Sequence, residues 1–135
     1  MLQDLTCPRC GYEDESTDHL LVNCLMARAI WWNIMLWLKL PVGEDTMICE
    51  GMLQRVQGFN GSKEWKKLIM AIVMITFWQI WKSRNDWVFN GYKGSTGRIV
   101  DEVKEMSFLW IKERSKLKNL VWDRWKDFNI RDVIK

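Results

Sequence analysis

Three of the four cysteines and the only histidine of this chain lie within its first 24 residues. They are Cys7, Cys10, His19 and Cys24, in the spacing C-x2-C-x8-H-x4-C. A C-x2-C turn presents two thiolates to one side of a metal ion, and a nearby His and Cys can complete the tetrahedron that Zn²⁺ prefers. We therefore predict one Zn²⁺, bound by these four side chains, as the cofactor. Four protein ligands leave no position for a reactive water, so the predicted role of the ion is structural.

The spacing of the last two ligands is the weak point of this motif. On an ideal α-helix His19 and Cys24, five residues apart, would point about 140° away from each other. The helix must therefore begin after His19 or be distorted in its first turn, and Gly11 is expected to let the backbone curl around the ion. Two alternatives stay open. One is a chance grouping of four residues, and the other is a redox pair of Cys7 and Cys10, although no strand-turn-helix context surrounds that pair.

The remaining candidates for chemistry are few. Cys49 falls in a short apolar stretch and is expected to be a small core residue, with a reactive or metal-binding role as the alternative. A catalytic Cys–His pair has little support because the only histidine belongs to the zinc motif. Asp101 and Glu105 are four residues apart and share a helix face, but these two acids are too few ligands for a catalytic metal site. We therefore expect neither enzymatic activity nor a small-molecule substrate.

The zinc motif and the segments after it resemble a known family. At the front of the chain the resemblance is carried by Cys7-Pro8-Arg9-Cys10-Gly11, Glu15-Ser16, His19 to Val22, Cys24 and Ala27 to Trp31. These pieces are similar to the reverse transcriptase zinc-binding domain of plant LINE-type (non-LTR) retroelement proteins. Segments 65–68, 80–85, 87–89 and 122–130 resemble the region downstream of that motif in those proteins. The resemblance implies a zinc-dependent nucleic-acid-binding or polymerase-accessory module. The Tyr-x-Asp-Asp motif of the family's polymerase is absent, so the resemblance implies no catalysis by this chain.

Apolar periodicity predicts an all-α fold, a small helical bundle preceded by an irregular zinc-binding loop. The predicted helices run from Leu20 towards Pro41, from Met47 to Val56, from Lys63 to about Asn85 with Ser62 as the N-cap, and from Ser95 or Thr96 to Asn119. A short aromatic turn or helix from Trp122 to Phe128 is expected to dock on the preceding helices. The third ends in the Asn90-Gly91 turn region, and the fourth should bury a stripe of Ile99, Val103, Met106, Leu109 and Trp110. Residues 1–40, 41–62 and 63–135 are expected to pack as one unit.

Composition limits the remaining possibilities. The 135 residues are 48% apolar and include ten tryptophans, whose helical spacing predicts core positions, with a base-stacking platform as the alternative. The apolar run 68–78 has eleven residues, against the roughly 20 that a bilayer core requires, so a buried helix is favoured over a membrane span. Gln3 and Asp4 disfavour a secretory signal, so we expect a cytoplasmic or nuclear protein without disulfides.

Charge is unevenly distributed along the chain. Residues 1–61 contain four Lys or Arg against eight Asp or Glu, whereas residues 62–135 contain sixteen against nine. Clustered cations bind a phosphate backbone, so the second half is the better candidate, although such runs are usually only the solvated faces of helices. Its candidate residues are Lys63, Lys66, Lys67, Lys82, Arg84, Lys93 and Arg98. In the acidic zinc loop the candidates are Arg9, for a phosphate or base edge, and Tyr12, for stacking on an unpaired base.

Two classes of function are consistent with these observations. The favoured one is a retroelement-derived zinc-binding accessory module that binds RNA or DNA in the context of reverse transcription, with a reverse transcriptase or another protein as a further partner and no membrane. The alternative is a helical protein-protein interaction module, or a non-functional fragment of a retroelement polyprotein. The zinc loop could either contact nucleic acid or only brace the first helix.

Overall fold

The computed structural model of the chain describes residue 7 and residues 10–11, 14–40, 49–58, 61–114 and 120–130. Within these ranges the chain is mostly helical and contains no strand, as predicted for an all-α protein. The elements are a π-helical turn (His19–Asn23), α1 (Leu25–Leu38), α2 (Cys49–Gln57), α3 (Lys63–Asn90), α4 (Thr96–Arg114) and α5 (Trp122–Trp125). Among these helices, none has the combination of length and apolar character needed to traverse a bilayer.

The longest helix, α3, connects most of the other elements. Its N-cap is Ser62, as predicted, whose hydroxyl accepts a hydrogen bond of 3.1 Å from the backbone N–H of Trp65. The helix continues to Asn90, past the predicted end near Asn85, because no helix breaker precedes Gly91, which ends it at φ 68°. It contacts the π-turn, α2 and α4, so the N-terminal segment and the C-terminal half pack together.

α2 lies close to its predicted position, whereas α1 begins at Leu25, five residues after the predicted start at Leu20, because the π-helical turn and the non-helical Cys24 precede it. α1 ends at Leu38, and Lys39 follows it in the left-handed region at φ 61°. The predicted stop signal, Pro41, lies outside the described residues. α2 begins at Cys49 within the predicted range 47–56 and ends one residue beyond it. The side chain of Cys49, predicted to be a core residue, also lies outside the described part of the structure.

The buried face of α4 differs from the predicted stripe. Its buried residues are Ile99, Val100, Val103, Ser107 and Ile111. Met106, Leu109 and Trp110 were predicted to be buried, but they are 37%, 61% and 40% exposed. The small Ser107 faces inward on this helix, which packs against α1 and α3. Its buried hydroxyl is satisfied because it donates a hydrogen bond to the carbonyl of Lys104 at 3.1 Å. The prediction was wrong because it ranked residues by apolarity alone. Asn119, the predicted end, lies outside the described residues.

An aromatic cluster joins the C-terminal segment to α1 and α3. The ring of Phe128 lies 4.9 Å from Trp37, 5.5 Å from Trp65 and 5.5 Å from Trp125, between centroids. The indole N–H of Trp37 donates to the carbonyl of Trp125 at 3.1 Å. The predicted docking of the last aromatic residues is therefore confirmed for Trp125 and Phe128, whereas Trp122 stays 37% exposed.

Candidate metal centre

The four side chains of the predicted zinc motif converge on one point. Their ligand atoms, three Sγ and one imidazole nitrogen, all lie within 4.8 Å of one another. The Sγ atoms of Cys7 and Cys24 are 3.7 Å apart, and Cys10 Sγ is 3.3 Å from Nε2 of His19. Cys7, Cys24 and His19 are buried and Cys10 is half-buried. This cluster is close enough to bind a metal ion.

Two separations within the cluster are close to those of tetrahedral coordination. An ion bound by two thiolates at about 2.3 Å holds the sulfurs about 3.8 Å apart, and a thiolate and an imidazole nitrogen about 3.6 Å apart. The corresponding distances here are 3.7 Å and 3.3 Å. A disulfide requires about 2.05 Å between sulfurs, so Cys7, Cys10 and Cys24 are free thiols. The arrangement therefore favours shared metal coordination over a redox pair of Cys7 and Cys10.

The π-helical turn resolves the five-residue spacing between the last two ligands. It spans His19–Asn23, and the backbone N–H of Cys24 donates to the carbonyl of His19 at 2.6 Å. This i→i+5 hydrogen bond adds one residue to the turn and brings His19 and Cys24 to the same side. Cys24 then leaves helical geometry, with ψ 144°, and serves as the N-cap of α1. The expected distortion of the first turn is thus confirmed.

The first two ligands are held by a tight turn. The backbone N–H of Gly11 donates to the carbonyl of Cys7 at 2.9 Å, which closes the chain around Cys10. Gly11 has φ 72°, a conformation that costs a residue with a side chain about 1–2 kcal/mol. The glycine is therefore required by backbone geometry, as the sequence predicted. The hydroxyl of Ser16 then accepts from the backbone N–H of His19 at 3.1 Å and orders the approach to the third ligand.

An ion pair connects the segment from Cys7 to Asp18, called the knuckle below, to the C-terminal half of α3. Nε of Arg84 donates to both carboxylate oxygens of Glu15 at 3.1 Å, and its Nη2 also donates to Glu15. The two side chains are only 22% and 17% exposed. The hydrogen bond to Glu15 raises the pKa of Arg84 above its ordinary value, and the negative charge of Cys7 adds to this rise. Because its donors are engaged by Glu15, we remove Arg84 from the candidates for phosphate binding.

Replacing Arg84 by Gln should weaken metal retention. The pair holds Glu15, four residues before His19, and places a positive charge near the thiolate of Cys7. Residues that support a metal site from outside its ligand set typically contribute at least about 10-fold to affinity, so we expect about a 10-fold rise in the dissociation constant in a competition with a chelator. The matched control is Arg98→Gln, which breaks a more exposed pair with Glu102. Equal retention by the two variants would contradict this role.

The other cations are spread over α3, α4 and the segment between them. Lys63, Lys67 and Lys82 are exposed and Lys66 is half-buried. Nζ of Lys93 lies 5.2 Å from the ring centroid of Trp87, and Nε of Arg98 is 3.2 Å from Oε1 of Glu102. Arg9 and Tyr12, the candidates within the zinc loop, lie outside the described residues.

The tryptophans divide between core and surface, which the sequence did not predict. Trp31, Trp37, Trp65 and Trp125 are buried, whereas Trp32, Trp78, Trp81, Trp110 and Trp122 are at least 37% exposed. On α3, Trp78 and Trp81 are 51% and 45% exposed and stack on each other, with centroids 5.5 Å apart and ring planes at 30°. Helical spacing is common to buried and exposed aromatic residues, so it could not separate them.

The chain was compared with protein families, curated proteins and solved structures, and its own residues remain the basis for interpreting the site. No family model, curated protein or solved structure matches the chain.

Proposed function

We propose that this chain is a zinc-binding accessory module that holds single-stranded RNA or DNA on α3, without polymerase catalysis of its own. The observation that carries the proposal is the exposed, mutually stacked pair of Trp78 and Trp81 on a helix that also presents lysines. The resemblance of the Cys7 to Cys24 motif to the zinc-binding domain of plant non-LTR retroelements supports a role beside a reverse transcriptase.

Zinc is the metal that best suits the cluster. Three thiolates and one imidazole are the soft and borderline ligands of structural Zn²⁺ sites, and their spacing fits a tetrahedron. Zn²⁺ with three thiolates carries a net charge of −1, which the nearby guanidinium of Arg84 offsets. The ion would hold the knuckle, the π-turn and α1 in fixed positions relative to one another. Because Arg84 pairs with Glu15 of the knuckle, the ion would also help to fix the C-terminal half of α3.

The tryptophan pair has the properties of a base-stacking platform. Every nucleobase has a π-face, so base-aromatic stacking binds single strands with little sequence preference and contributes about 1–3 kcal/mol per base. Trp78 and Trp81 are one helical turn apart, and Lys82 follows directly. Lys67 lies three turns before Trp78 on the same side of α3, about 16 Å along the axis. A strand stacked on the two indoles could therefore place its phosphates near lysines on either side.

A salt series with a labelled 12-nucleotide single-stranded RNA tests this function. Three or four phosphate contacts predict that log K falls with log salt at a slope of about −2 to −3. Trp81→Ala should weaken binding by about 30-fold, which corresponds to the middle of the stacking range. The control is Trp110→Ala, which removes an indole that is similarly exposed but already has the guanidinium of Arg114 5.3 Å from its ring centroid. Absence of binding at low salt, or equal losses in the two variants, would overturn the proposal.

A second candidate function is favoured by apolar side chains that are exposed on α3 and on α1. Met74 precedes Trp78 by one turn and is 52% exposed, and α1 exposes Leu25, Trp32 and Leu36 at 56–59%. Exposed apolar residues at helical spacing are typical of protein-protein contacts. Binding of a protein partner would depend only weakly on salt, so the salt series separates this candidate from nucleic-acid binding.

A further inference from the structure

A cleft of about 230 Å³ lies between the C-terminal half of α3 and the start of α4. It is smaller than the roughly 300–1,000 Å³ clefts that hold drug-sized ligands, so it suits one ring system or a single nucleotide. Lys82 lines it and is the residue next to Trp81, so the cleft adjoins the stacking platform. The structure thus places a partly open cleft next in sequence to the surface on which we propose a strand to bind.

The most buried lining residues combine one amide with one apolar side chain. Gln79 is 3% exposed and Ile99 is 4% exposed. The amide nitrogen of Gln79 makes only a weak contact, at 3.5 Å, with the sulfur of Met106, and its amide oxygen makes no hydrogen bond within the described residues. A buried amide that faces a cleft with its hydrogen-bonding capacity largely unused can pair with a ligand. Such an amide can bind adenine through N6 and N7 together.

The charges around the cleft favour a neutral polar ligand over a phosphate. Lys82 and Arg98 line it, and so do Asp86 and Glu102, so the four charges cancel. Arg98 is already bonded to Glu102 at 3.2 Å. The carboxylate of Asp86 can accept a hydrogen bond from an exocyclic amine, as acids do when they contact cytosine N4. Tyr92 is 51% exposed at the cleft and offers a ring on which a planar ligand can stack.

We propose that this cleft takes an unstacked nucleobase bearing an exocyclic amine, adenine or cytosine, from the single strand held on Trp78 and Trp81. The amide of Gln79 and the carboxylate of Asp86 bind the edge of the base, Tyr92 stacks on its face, and Lys82 contacts the adjoining phosphate. The inference rests on the proposed function and adds a base preference to it, because a platform of tryptophans alone discriminates poorly between bases.

The test compares labelled 12-mers of adenine, cytosine and uracil RNA on the whole zinc-loaded chain. One well-formed base contact discriminates by about 1–3 kcal/mol, so the adenine and cytosine oligomers should bind about 10-fold more tightly than uracil. Cytosine is included because it is a single-ring pyrimidine like uracil and differs from it at the edge that carries the exocyclic amine, so a preference for cytosine over uracil reports recognition of that edge. Binding of all three oligomers with equal affinity would overturn the inference that the cleft binds a base, and it would leave the proposed stacking on Trp78 and Trp81 standing.

Two variants connect the preference to the cleft. Gln79→Met and Asp86→Asn should each reduce the preference to about 2-fold or less, because these two side chains bind the edge of the base. Asp86 is half-buried and the asparagine is nearly isosteric, so this second change should leave the fold intact. Trp81→Ala should weaken the binding of all three oligomers by the same factor and leave the base preference unchanged. A preference retained in both cleft variants overturns the inference. If none of the oligomers binds the unmodified chain, the proposed function fails and the cleft inference fails with it.

Discussion

Removing zinc with a chelator should release the knuckle, the π-turn and the first turn of α1, while α3, α4 and α5 stay folded. Three of the ligands are buried and Cys10 is half-buried, so the front of the chain loses the interaction that holds it. The C-terminal end of α1 is held independently, because the ring of Trp37 contacts Trp125 and Phe128. We therefore expect local rather than global unfolding.

Trp31 should report this local change. Its indole N–H donates to the carbonyl of Leu21 in the π-turn at 2.7 Å, and its ring meets Phe77 of α3 edge-on at 5.0 Å between centroids. Loss of the π-turn removes the first of these contacts and lets water reach the indole. The expected result is a red shift of tryptophan fluorescence together with faster amide exchange before residue 30. Helical circular dichroism should fall only slightly.

The variant that tests this prediction is Cys7→Ser, with Cys49→Ser as the control. Cys7→Ser should lose bound zinc and reproduce the changes caused by the chelator. Cys49 is the cysteine outside the motif, so its replacement should keep one zinc per chain. Near-complete loss of helix in Cys7→Ser would show that the bundle depends on its metal and would falsify local unfolding. Loss of zinc in Cys49→Ser would show that the ligand set is wrong.

The ligand set could be predicted because its chemistry is local. Cys7 to Cys24 span 18 residues, and a chain with one histidine offers few other combinations. The spacing of His19 and Cys24 required some departure from an ideal helix, but it did not say which. A π-turn and a later helix start satisfy the same spacing, and only the backbone hydrogen bond between these two residues distinguishes them.

Contacts between distant parts of the chain could not be predicted. Glu15 and Arg84 are 69 residues apart, and nothing in either local pattern selects the other from the remaining charges. The exposure of Trp78 and Trp81 has the same origin. A helix as apolar as α3 has no obvious solvent face, so the side that stays open depends on where α2, α4 and the π-turn pack. Helices could therefore be located from periodicity, while their buried faces could not.

Replacing Trp125 by Ala should cause the largest loss of stability among the substitutions considered. The side chain is fully buried, touches Trp37 and Phe128, and its indole N–H donates to the carbonyl of Lys104 at 2.9 Å. Truncating a buried tryptophan costs about 3–5 kcal/mol, and here the carbonyl of Lys104 also loses one of two side-chain donors, keeping only the hydroxyl of Ser107.

Trp122→Ala is the matched control, since Trp122 lies on the same short helix but is 37% exposed and makes one edge contact with Phe108 at 5.5 Å. Its removal should lower the free energy of unfolding by about 1 kcal/mol or less. Urea denaturation followed by circular dichroism, with zinc present throughout, measures both variants. Similar midpoints for the two variants would mean that the C-terminal segment packs on the other helices without contributing much to the free energy of unfolding. A much lower midpoint for Trp125→Ala would mean that this segment supplies part of the core that holds the C-terminal end of α1.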